Sequence, residues 1–508
     1  MVLKSKVKRL EDLASVLEKL RGENKRIVHC HGCFDLLHIG HIRHFRQAKQ
    51  HGDILIVTVT PDRYVDKGPD HPAFNENLRI EALASLGIID YVAINEWPTA
   101  ENTLRLLKPN VYAKGSEFQK KGSDFTGKID KEKEAVNEIG AEMVFTDDIV
   151  FSSSSLINRF FSNKPAELHE YLRLFRERNG AKSVDQVLDS ISKLKVMVIG
   201  DTIIDDYHYC NPLGKSNKDP LIAMHYLSND MFAGGVLAVA NHVANFAKKV
   251  HLFTVLGDKD SYCDFIKNKL CSNVALNYIT KPNSPTLIKR RFLDSNSLNK
   301  LFEVYVMDDR ELPSEIDAKF CEKVKNCLKE VDLVIVADYG HGAISENMVK
   351  LLCDSAPFLA VNTQANAGNR GFHIISRYPK ADYACLAEHE LRLEARIMNG
   401  SIRPIMDDVA TRHQCKYLAV TLGRKGSLIR VENGDFVASP SLASDVIDRI
   451  GAGDAFFALT AMSAYQGIKE EVLSFVGNVA ASMAVGIIGN QKSIEKQGFQ
   501  SYYRTLLK

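Results

Sequence analysis

The stretch CHGCFDLLHIGHIRH, Cys30–His44, decides how the first part of the chain folds. Basic Lys25 and Arg26 and apolar Ile27 and Val28 precede it. A run of helical character, Ile42 to Gln50, follows, and then the continuous apolar stretch ILIVTVT after Asp53. This order predicts strand, glycine turn, helix, strand: a βαβ unit with its turn at the carboxyl end of the first strand. His38 and His41 are three residues apart, so both imidazoles lie on one face at the start of the predicted helix. Gly40 between them removes a side chain where a phosphate must come close, and a helix start offers free N–H groups and a positive dipole end. Two histidines placed there can donate hydrogen bonds to a triphosphate and to the five-coordinate phosphorus formed during attack. A nucleophile that is already a phosphate oxygen needs no general base. Taken alone, His-x-Gly-His is equally a capped helix start with two surface histidines.

The length of 508 residues predicts two or more domains, and 45% hydrophobic with 25% charged residues is ordinary for globular chains with sizeable cores. A net charge of +2 argues against a dedicated nucleic-acid binder. No apolar run approaches a membrane span, and the basic N-terminus MVLKSKVKRLEDL has no apolar core of a secretory signal. The expectation is therefore a cytoplasmic protein without membrane or nucleic-acid partners. Ten scattered cysteines suit a reducing compartment. Cys30 and Cys33 form a C-x-x-C, but no second pair stands at zinc spacing, which favours a structural role.

Residues 5–22 carry apolar positions at helical spacing and predict a leading helix. The segment PDRYVDKGPDHPAF, 61–74, reads as a loop and carries Arg63 and Lys67. Asn77 begins an amphipathic helix with Arg79 at its start, followed by a strand. Strands are also expected in PNVYAKGSEF, 109–118, with Lys114-Gly115 in a glycine turn, and in AEMVFTDD, 141–148. Four serines in FSSSSLI, Phe151–Ile157, precede an apolar helix. They can simply cap it, or add hydroxyls and helix-start N–H groups to a phosphate site. GCFDLLHIGH, NENLRIEAL (Asn75–Leu83) and FSSSSLI, in that order, resemble the signature motifs of the nucleotidylyltransferase superfamily, its cytidylyltransferase-like branch in particular. The resemblance implies a Rossmann-like domain over 1–165. It implies that His38 and His41 are catalytic and that Gly32, Cys33, Phe34, Gly40, Lys67, Arg79, Lys114, Ser153 and Ser154 bind nucleotide or phosphate.

Residues 166–194 are charged and helix-rich and read as a helical connection. KVMVIGDTIIDDY, from Lys195, restarts the pattern of a buried strand ending in glycine and acids. From there strands alternate with helices (HLFTVLGD, DLVIVADYG, PFLAVNT, ADYACLA, KYLAVTLG), which predicts a second, larger α/β domain over 195–508. Its chemical centre is DRIGAGDAFFAL, from Asp448. Gly451, Ala452 and Gly453 at a helix start let backbone N–H groups face a transferred phosphoryl group, and Asp454 is placed to take the proton of an attacking hydroxyl. This segment resembles the C-terminal signature of the ribokinase-like (PfkB) sugar kinases. Four further features agree: Gly200-Asp201 with Asp205, FAGGVLAVANHVA from Phe232, VTLGRKGS from Val420, and Asp338-Tyr339-Gly340-His341-Gly342. The resemblance implies a ribokinase-like fold with a small β-lid near 208–230 and 285–308, through which such folds often form homodimers. It implies an ATP site and anion hole of Gly451, Ala452, Gly453, Thr421, Gly423, Gly426 and Asn478. It further implies sugar binding by Asp201, Asp205, Gly234 and Gly235, and a magnesium role for Glu388 at one remove.

The two domains on one chain resemble the bifunctional sugar kinase and nucleotidylyltransferase family of ADP-heptose synthesis, in reversed order. That resemblance implies Mg²⁺, ATP, and ATP or CTP as nucleotidyl donor, with a sugar phosphate of the heptose 7-phosphate kind as acceptor. Three departures bear on the sugar. Ala238 stands where that family has asparagine. Asn362-Thr363-Gln364-Ala365 replaces an Asp-Pro-Lys-Gly segment. Cys385-Leu386-Ala387-Glu388 keeps only the glutamate of an Asn-x-x-Glu. Losing an amide changes what a polar pocket accepts. The polar stretch Asn366–Gly371 is either a replacement sugar or phosphate site or a surface loop. The rival readings are a cytidylyltransferase for an alditol phosphate with a diverged kinase half, and a sugar or nucleotide sensor without turnover.

Overall fold

The structure, a computed structural model, describes residues 5–65, 71–115, 128–146, 165–444 and 446–508. The chain divides into two compact units, Met1–Lys164 with Gln500–Lys508, and Pro165–Phe499. The expected contacts Lys67, Ser153 and Ser154 lie outside the described residues.

The first unit is built on a five-stranded sheet of β1 (Ile27–Gly32), β2 (Ile54–Val59), β3 (Tyr91–Ile94), β4 (Val111–Gly115) and β5 (Glu142–Thr146), in the order β3-β2-β1-β4-β5. Every pairing is parallel. Val28, Cys30, Leu55, Val57, Val59, Val92, Val111 and Ala113 are buried, which is why these strands read as unbroken apolar runs. The strand order reverses direction between β1 and β4, and the loop Cys33–Leu37 leaves β1 at that reversal. Ligands of open parallel sheets collect at such a point.

In the second unit, nine strands form a central sheet: β6 (Lys195–Lys215), β8 (Lys249–Lys259), β9 (Val274–Pro285), β12 (Leu333–Asp338), β13 (Leu359–Thr363), β14 (Tyr383–Ala387), β15 (Tyr417–Thr421), β16 (Ser427–Arg430) and β17 (Phe436–Ser439). They run parallel from β9 to β15, and β16 and β17 close the edge antiparallel. β6 is long enough to serve two sheets. Residues 195–201 pair with β8 and β12. Residues 202–215 leave the core to pair with β7 (Ile222–Gly235), antiparallel, and with β10 (Ile288–Asp294), parallel. β11 (Lys300–Val306) completes this smaller sheet on the far side of β10. The β-lid of a ribokinase-like fold is thus an outward continuation of the first strand of the core.

The helices Ala166–Arg178 and Gly180–Ile191, expected as a connection, belong to the second unit. Leu168, Leu172 and Phe175 form one buried face, at helical spacing, and Phe175 stacks on Phe475 with ring centroids 4.1 Å apart. Tyr171 meets Ser439 on β17 at 2.6 Å, and Asn179 donates to Glu471. Charged residues on the outward face made this segment look like a linker; its apolar stripe packs it down. Among the described residues no helix is long and apolar enough to cross a membrane.

Candidate active sites

In the first unit, β1 ends at Gly32. A Cβ there would meet the Phe34 ring at 3.0 Å, so the glycine makes room for Phe34 to fold back. Phe34 has a positive φ of 48° and stands edge-on to His41, with centroids 5.4 Å apart. Its ring therefore packs one side of the histidine. His38 is the N-cap of the helix Ile39–Lys49 and accepts from the Gly40 N–H through Nδ1 at 3.1 Å. A nitrogen that accepts carries no proton, so in the neutral ring the proton sits on Nε2. His38 and His41 stack with centroids 3.9 Å apart and 27° between planes, which brings both rings to the helix start as their spacing predicts.

Arg79 does not stand ready for a triphosphate. Its guanidinium is buried and reaches the Cys33 carbonyl at 2.5 Å, the Thr60 carbonyl at 2.8 Å and Asp62 Oδ1 at 2.6 Å. Five donors in a rigid fork suit it to tie together the loops that leave β1 and β2. Asn75 caps the arginine's helix by accepting from Leu78 N–H, and Asp62 and Glu76 bond reciprocally through side chain and backbone. Lys114 likewise pairs with Glu132 at 2.9 Å, with both side chains nearly buried. Cys30 lies in the apolar core, where burial pushes its thiol up, and neither Cys30 nor Cys33 is in a disulfide. Periodicity gave no sign of two further features. Asp35 of the Gly-Cys-Phe-Asp turn pairs with His71 at 2.8 Å and accepts from Phe74 N–H, holding the loop before Asn75. His29 and His31 both meet Thr58 Oγ1, at 2.7 and 2.9 Å, across β1 and β2. Burial, and then the charge of Lys114, push His29 down to about 3, so it is a neutral core histidine.

In the second unit, Gly451 caps the helix Ala452–Tyr465 with a φ of 86°, and a Cβ on it would strike Asn490 Oδ1 at 2.5 Å. Above Gly453 a Cβ would meet nothing within 4 Å, so the first turn opens onto free space. A helix start that is bare, open and glycine-lined is an anion site in geometry. Asp454 stands in this first turn and accepts from the Tyr339 hydroxyl at 2.7 Å. Burial pushes its carboxyl up to about 6; the Tyr339 hydrogen bond opposes that rise, Asp205 adds to it and Lys289 opposes it. A carboxyl poised near neutrality suits a general base.

Asp205 lies close by, held by Arg291 Nη1 and by Asn490 Nδ2 at 3.1 Å. Gly234 is obligatory beside it, since a Cβ would sit 2.1 Å from Asp205 Oδ2. Gly235, with φ of 57°, would strike the Asp201 carbonyl. Asp201 is buried and accepts from the N–H groups of Tyr339, His341 and Ala343, which makes it the anchor of the turn after β12. Lys289 on β10 is buried with its ammonium 5.0 Å from the Tyr305 ring centroid, and burial pushes its pKa down. Burial, and then Lys289, push His341 down to about 3, leaving a neutral imidazole edge-on to Tyr305.

Thr421 ends β15, and the turn through Gly423 and Gly426 needs both glycines: their φ values are 59° and 90°, and a Cβ on Gly426 would lie 2.0 Å from the Ser439 carbonyl. Asn478 is buried, and its amide donates to Ser427 Oγ at 2.7 Å and to the Ser474 carbonyl at 2.9 Å, so it braces the start of β16. Glu388 is bridged to Arg392 at 2.8 Å and remains partly exposed. Glu390, which the motif did not single out, is buried and accepts from the N–H groups of Ala365 and Ala387. No group of three or more His, Cys, Asp or Glu ligands is assembled among the described residues. Magnesium in nucleotide enzymes rests chiefly on phosphates, waters and one or two carboxylates, so this donor set fits an ion carried in with a nucleotide better than a protein-built cage. Of the departures, Ala238 is buried in the helix Val236–Ala244, Asn362 donates to the Cys385 carbonyl at 2.8 Å, and Cys385 is a buried thiol. In the segment Asn366–Gly371, Asn366 and Asn369 both donate to the Tyr339 carbonyl.

The architecture is that of a mixed α/β protein with a Rossmann-like nucleotidyltransferase domain followed by a ribokinase-like domain. The chain belongs to the pfkB family of carbohydrate kinases, whose family model matches residues 193–497, and residues 29–160 match the cytidylyltransferase-like family. Among curated proteins it is similar to "Bifunctional protein HldE" of Aliarcobacter butzleri, 38% identical over 125 residues, covering 24% of this chain and 26% of that protein. The protein of the same name from Desulfatibacillum aliphaticivorans is 34% identical over 155 residues, 30% of each chain. The chain thus spans between a quarter and a third of the length of these relatives. Among solved structures, phosphofructokinase-2 from Escherichia coli in complex with potassium superposes with a TM-score of 0.50 at 14% identity, over 62% of this chain and all of that one, a likeness of fold.

Proposed function

We propose that the chain activates a sugar in two transfers, one in each unit. In the second unit, the γ-phosphoryl group of ATP passes to a hydroxyl of a sugar or sugar phosphate of the heptose 7-phosphate kind. Asp454 takes the hydroxyl proton, while the N–H groups behind Gly451, Ala452 and Gly453 face the phosphoryl oxygens. Magnesium would ride on the nucleotide phosphates, with Glu388 the carboxylate exposed enough to hold its waters; bound there, it would neutralise phosphate charge. In the first unit, a sugar 1-phosphate oxygen attacks the α-phosphorus of a nucleoside triphosphate and pyrophosphate leaves. His38 and His41 donate to the phosphorus oxygens, and Arg79 acts by fixing the loops around them. The product is a nucleotide sugar. The observation that carries this reading is the pairing, on one chain, of an open glycine-lined helix start bearing Asp454 with a second helix start bearing stacked His38 and His41. The relatives named bifunctional support it. All ten free cysteines suit a cytoplasmic setting.

The test is ADP release with heptose 7-phosphate, and pyrophosphate release from ATP and from CTP with heptose 1-phosphate. ADP from the first and pyrophosphate from ATP in the second support the reading. Pyrophosphate from CTP with glycerol phosphate, and none with the heptose, replaces it with an alditol cytidylyltransferase. Ligand binding with no turnover at either site replaces it with a sensor. We further propose that the lid pairs two copies of the chain. Its strands expose Leu213, Ile222, Tyr226, Leu227, Phe302 and Val304, large apolar side chains that a second copy could cover. Light scattering on Phe302→Asp, with a monomer expected against a wild-type dimer, decides it.

A further inference from the structure

The chain departs from its resemblance at Asn362–Ala365, and the loop that follows closes on Tyr339. Asn366 and Asn369 donate to the Tyr339 carbonyl at 2.7 and 3.1 Å. The two asparagines also bond within the loop: Asn366 Oδ1 accepts from Gly368 N–H and Asn369 Oδ1 from Gly371 N–H. From the opposite side, Asp201 accepts the Tyr339 N–H at 2.9 Å. The tyrosine is 3% exposed, so the peptide groups on both sides of it and its ring are all fixed. Its hydroxyl ends 2.7 Å from Asp454 Oδ1, and Asp454 has no other side-chain hydrogen bond among the described residues.

We propose that Tyr339 is the positioning residue of the phosphoryl-transfer base: clamped by Asp201, Asn366 and Asn369, its hydroxyl fixes Asp454 through Oδ1, lowers the carboxylate's basicity and leaves Oδ2 to receive the acceptor's proton. The proposal rests on the reading of Asp454 as that base. A hydrogen bond donated to a carboxylate favours its charged form. The surroundings of Asp454 otherwise work largely against ionisation. Burial and Asp205 on β6 raise its pKa, and Lys289 on β10 is the one ammonium that opposes them. Glu390, on the helix after β14, and Cys385 within β14 also feel the charge of Asp454. Tyr339 itself stays protonated at any working pH, because burial and then the charge of Asp454 push it far above the ordinary phenol range. Whenever Asp454 is ionised the Tyr339 hydroxyl is therefore the donor of the pair, and the neutral loop asparagines hold it without adding charge near the base.

The experiment compares wild-type full-length protein with Tyr339→Phe in two ways. The first is the infrared titration of the Asp454 carboxyl without substrate, isolated by subtracting the spectrum of Asp454→Asn. Its midpoint is expected to rise in Tyr339→Phe by on the order of one pH unit, the worth of one hydrogen bond to a charged group. The second is the pH profile of kcat for ADP release, whose acid limb is expected to move up by the same amount, while KM for ATP holds. A purely structural role would lower kcat equally at every pH. An unchanged infrared midpoint overturns the proposal. ADP release that survives in Asp454→Asn overturns the kinase-base reading and, with it, the catalytic half of the proposal; the infrared midpoint still decides the hydrogen bond. Should Tyr339→Phe not fold, the double variant Asn366→Ala, Asn369→Ala keeps the ring in place and is read in the same two ways, with a smaller upward shift expected.

Discussion

Asp454 carries two opposed demands. Its folded pKa is pushed up to about 6, above an unfolded value of about 3.9, so the folded chain holds the proton through a pH range in which the unfolded chain has lost it. Stability from this group is therefore greatest below about pH 4 and declines as pH rises to about 6, then stays level. Activity runs the other way, because the base must be ionised: ADP release falls as pH drops through about 6. Asp454→Asn removes the charge but keeps an oxygen to accept from Tyr339. It is expected to lower kcat for ADP release by about 10²–10⁴-fold while raising stability at pH 7.5 by on the order of 1–2 kcal/mol, read by urea unfolding. Arg79→Met is expected to do the reverse kind of damage in the first unit. It leaves Asp62 and two carbonyls without their donor, costs about 2–4 kcal/mol, and loses pyrophosphate release although the histidines are intact. Asp454 and His38 were legible in the sequence because helix-start chemistry is local: a glycine, a spacing and a cap. The inward turn of Arg79 was not, because a motif arginine looks the same whether its fork meets a phosphate or three protein oxygens. Tyr339 and Asn490 were hidden for another reason, since their partners Asp454 and Asp205 lie 115 and 285 residues away.

Strand β6 shows what periodicity reads and what it misses. Its two halves look unlike: the first is mostly apolar and buried, and burial gives way to exposure along the second, beyond Tyr207. That they are one strand, bent from core sheet into lid, follows from pairing with β7, β8, β10 and β12, which no local pattern encodes. The same continuity joins Asp205, near the root of the lid, to the helix start at Gly451 through Asn490. On the lid's outer strand, Lys300 reaches Asp448 at 2.5 Å, and Tyr207 on β6 donates to the same carboxylate at 3.0 Å, just before the glycines of the anion site. Charge dominates the composition of the helix Ala166–Arg178, but its apolar stripe decides its place in the second unit. Phe175→Ala should therefore act as a core truncation. Losing its stack on Phe475 is expected to cost about 3–5 kcal/mol and to lower the melting temperature of the second unit, seen by calorimetry, with pyrophosphate release at low temperature unaffected. A true linker helix would show no such loss.

Two active centres on one chain make a sharper claim than either alone. Every described residue assigned to nucleotidyl transfer falls in Met1–Lys164, and every residue assigned to phosphoryl transfer falls in Pro165–Phe499. Each site has hydrogen bonds within its own unit: His38 with Gly40 and Arg79 with Cys33, Thr60 and Asp62 in the first; Asp454 with Tyr339 and Asp205 with Arg291 and Asn490 in the second. His41→Asn, which keeps a polar side chain on the helix face but loses the aromatic stack with His38 and Phe34, is expected to cut pyrophosphate release by about 10²–10³-fold, the worth of one transition-state donor, and to leave ADP release within about twofold. Asp454→Asn should give the mirror result. The two variants mixed in one tube, given heptose 7-phosphate, ATP, magnesium and a phosphatase that hydrolyses the 7-phosphate of the bisphosphate formed, should then restore the nucleotide sugar, because the product of one chain, once dephosphorylated, is used by the other. Its rate should rise with the concentration of whichever variant is limiting. If the mixture instead stays silent while each variant keeps its own half-reaction, the dephosphorylated product of the second unit is not the acceptor that the first unit uses.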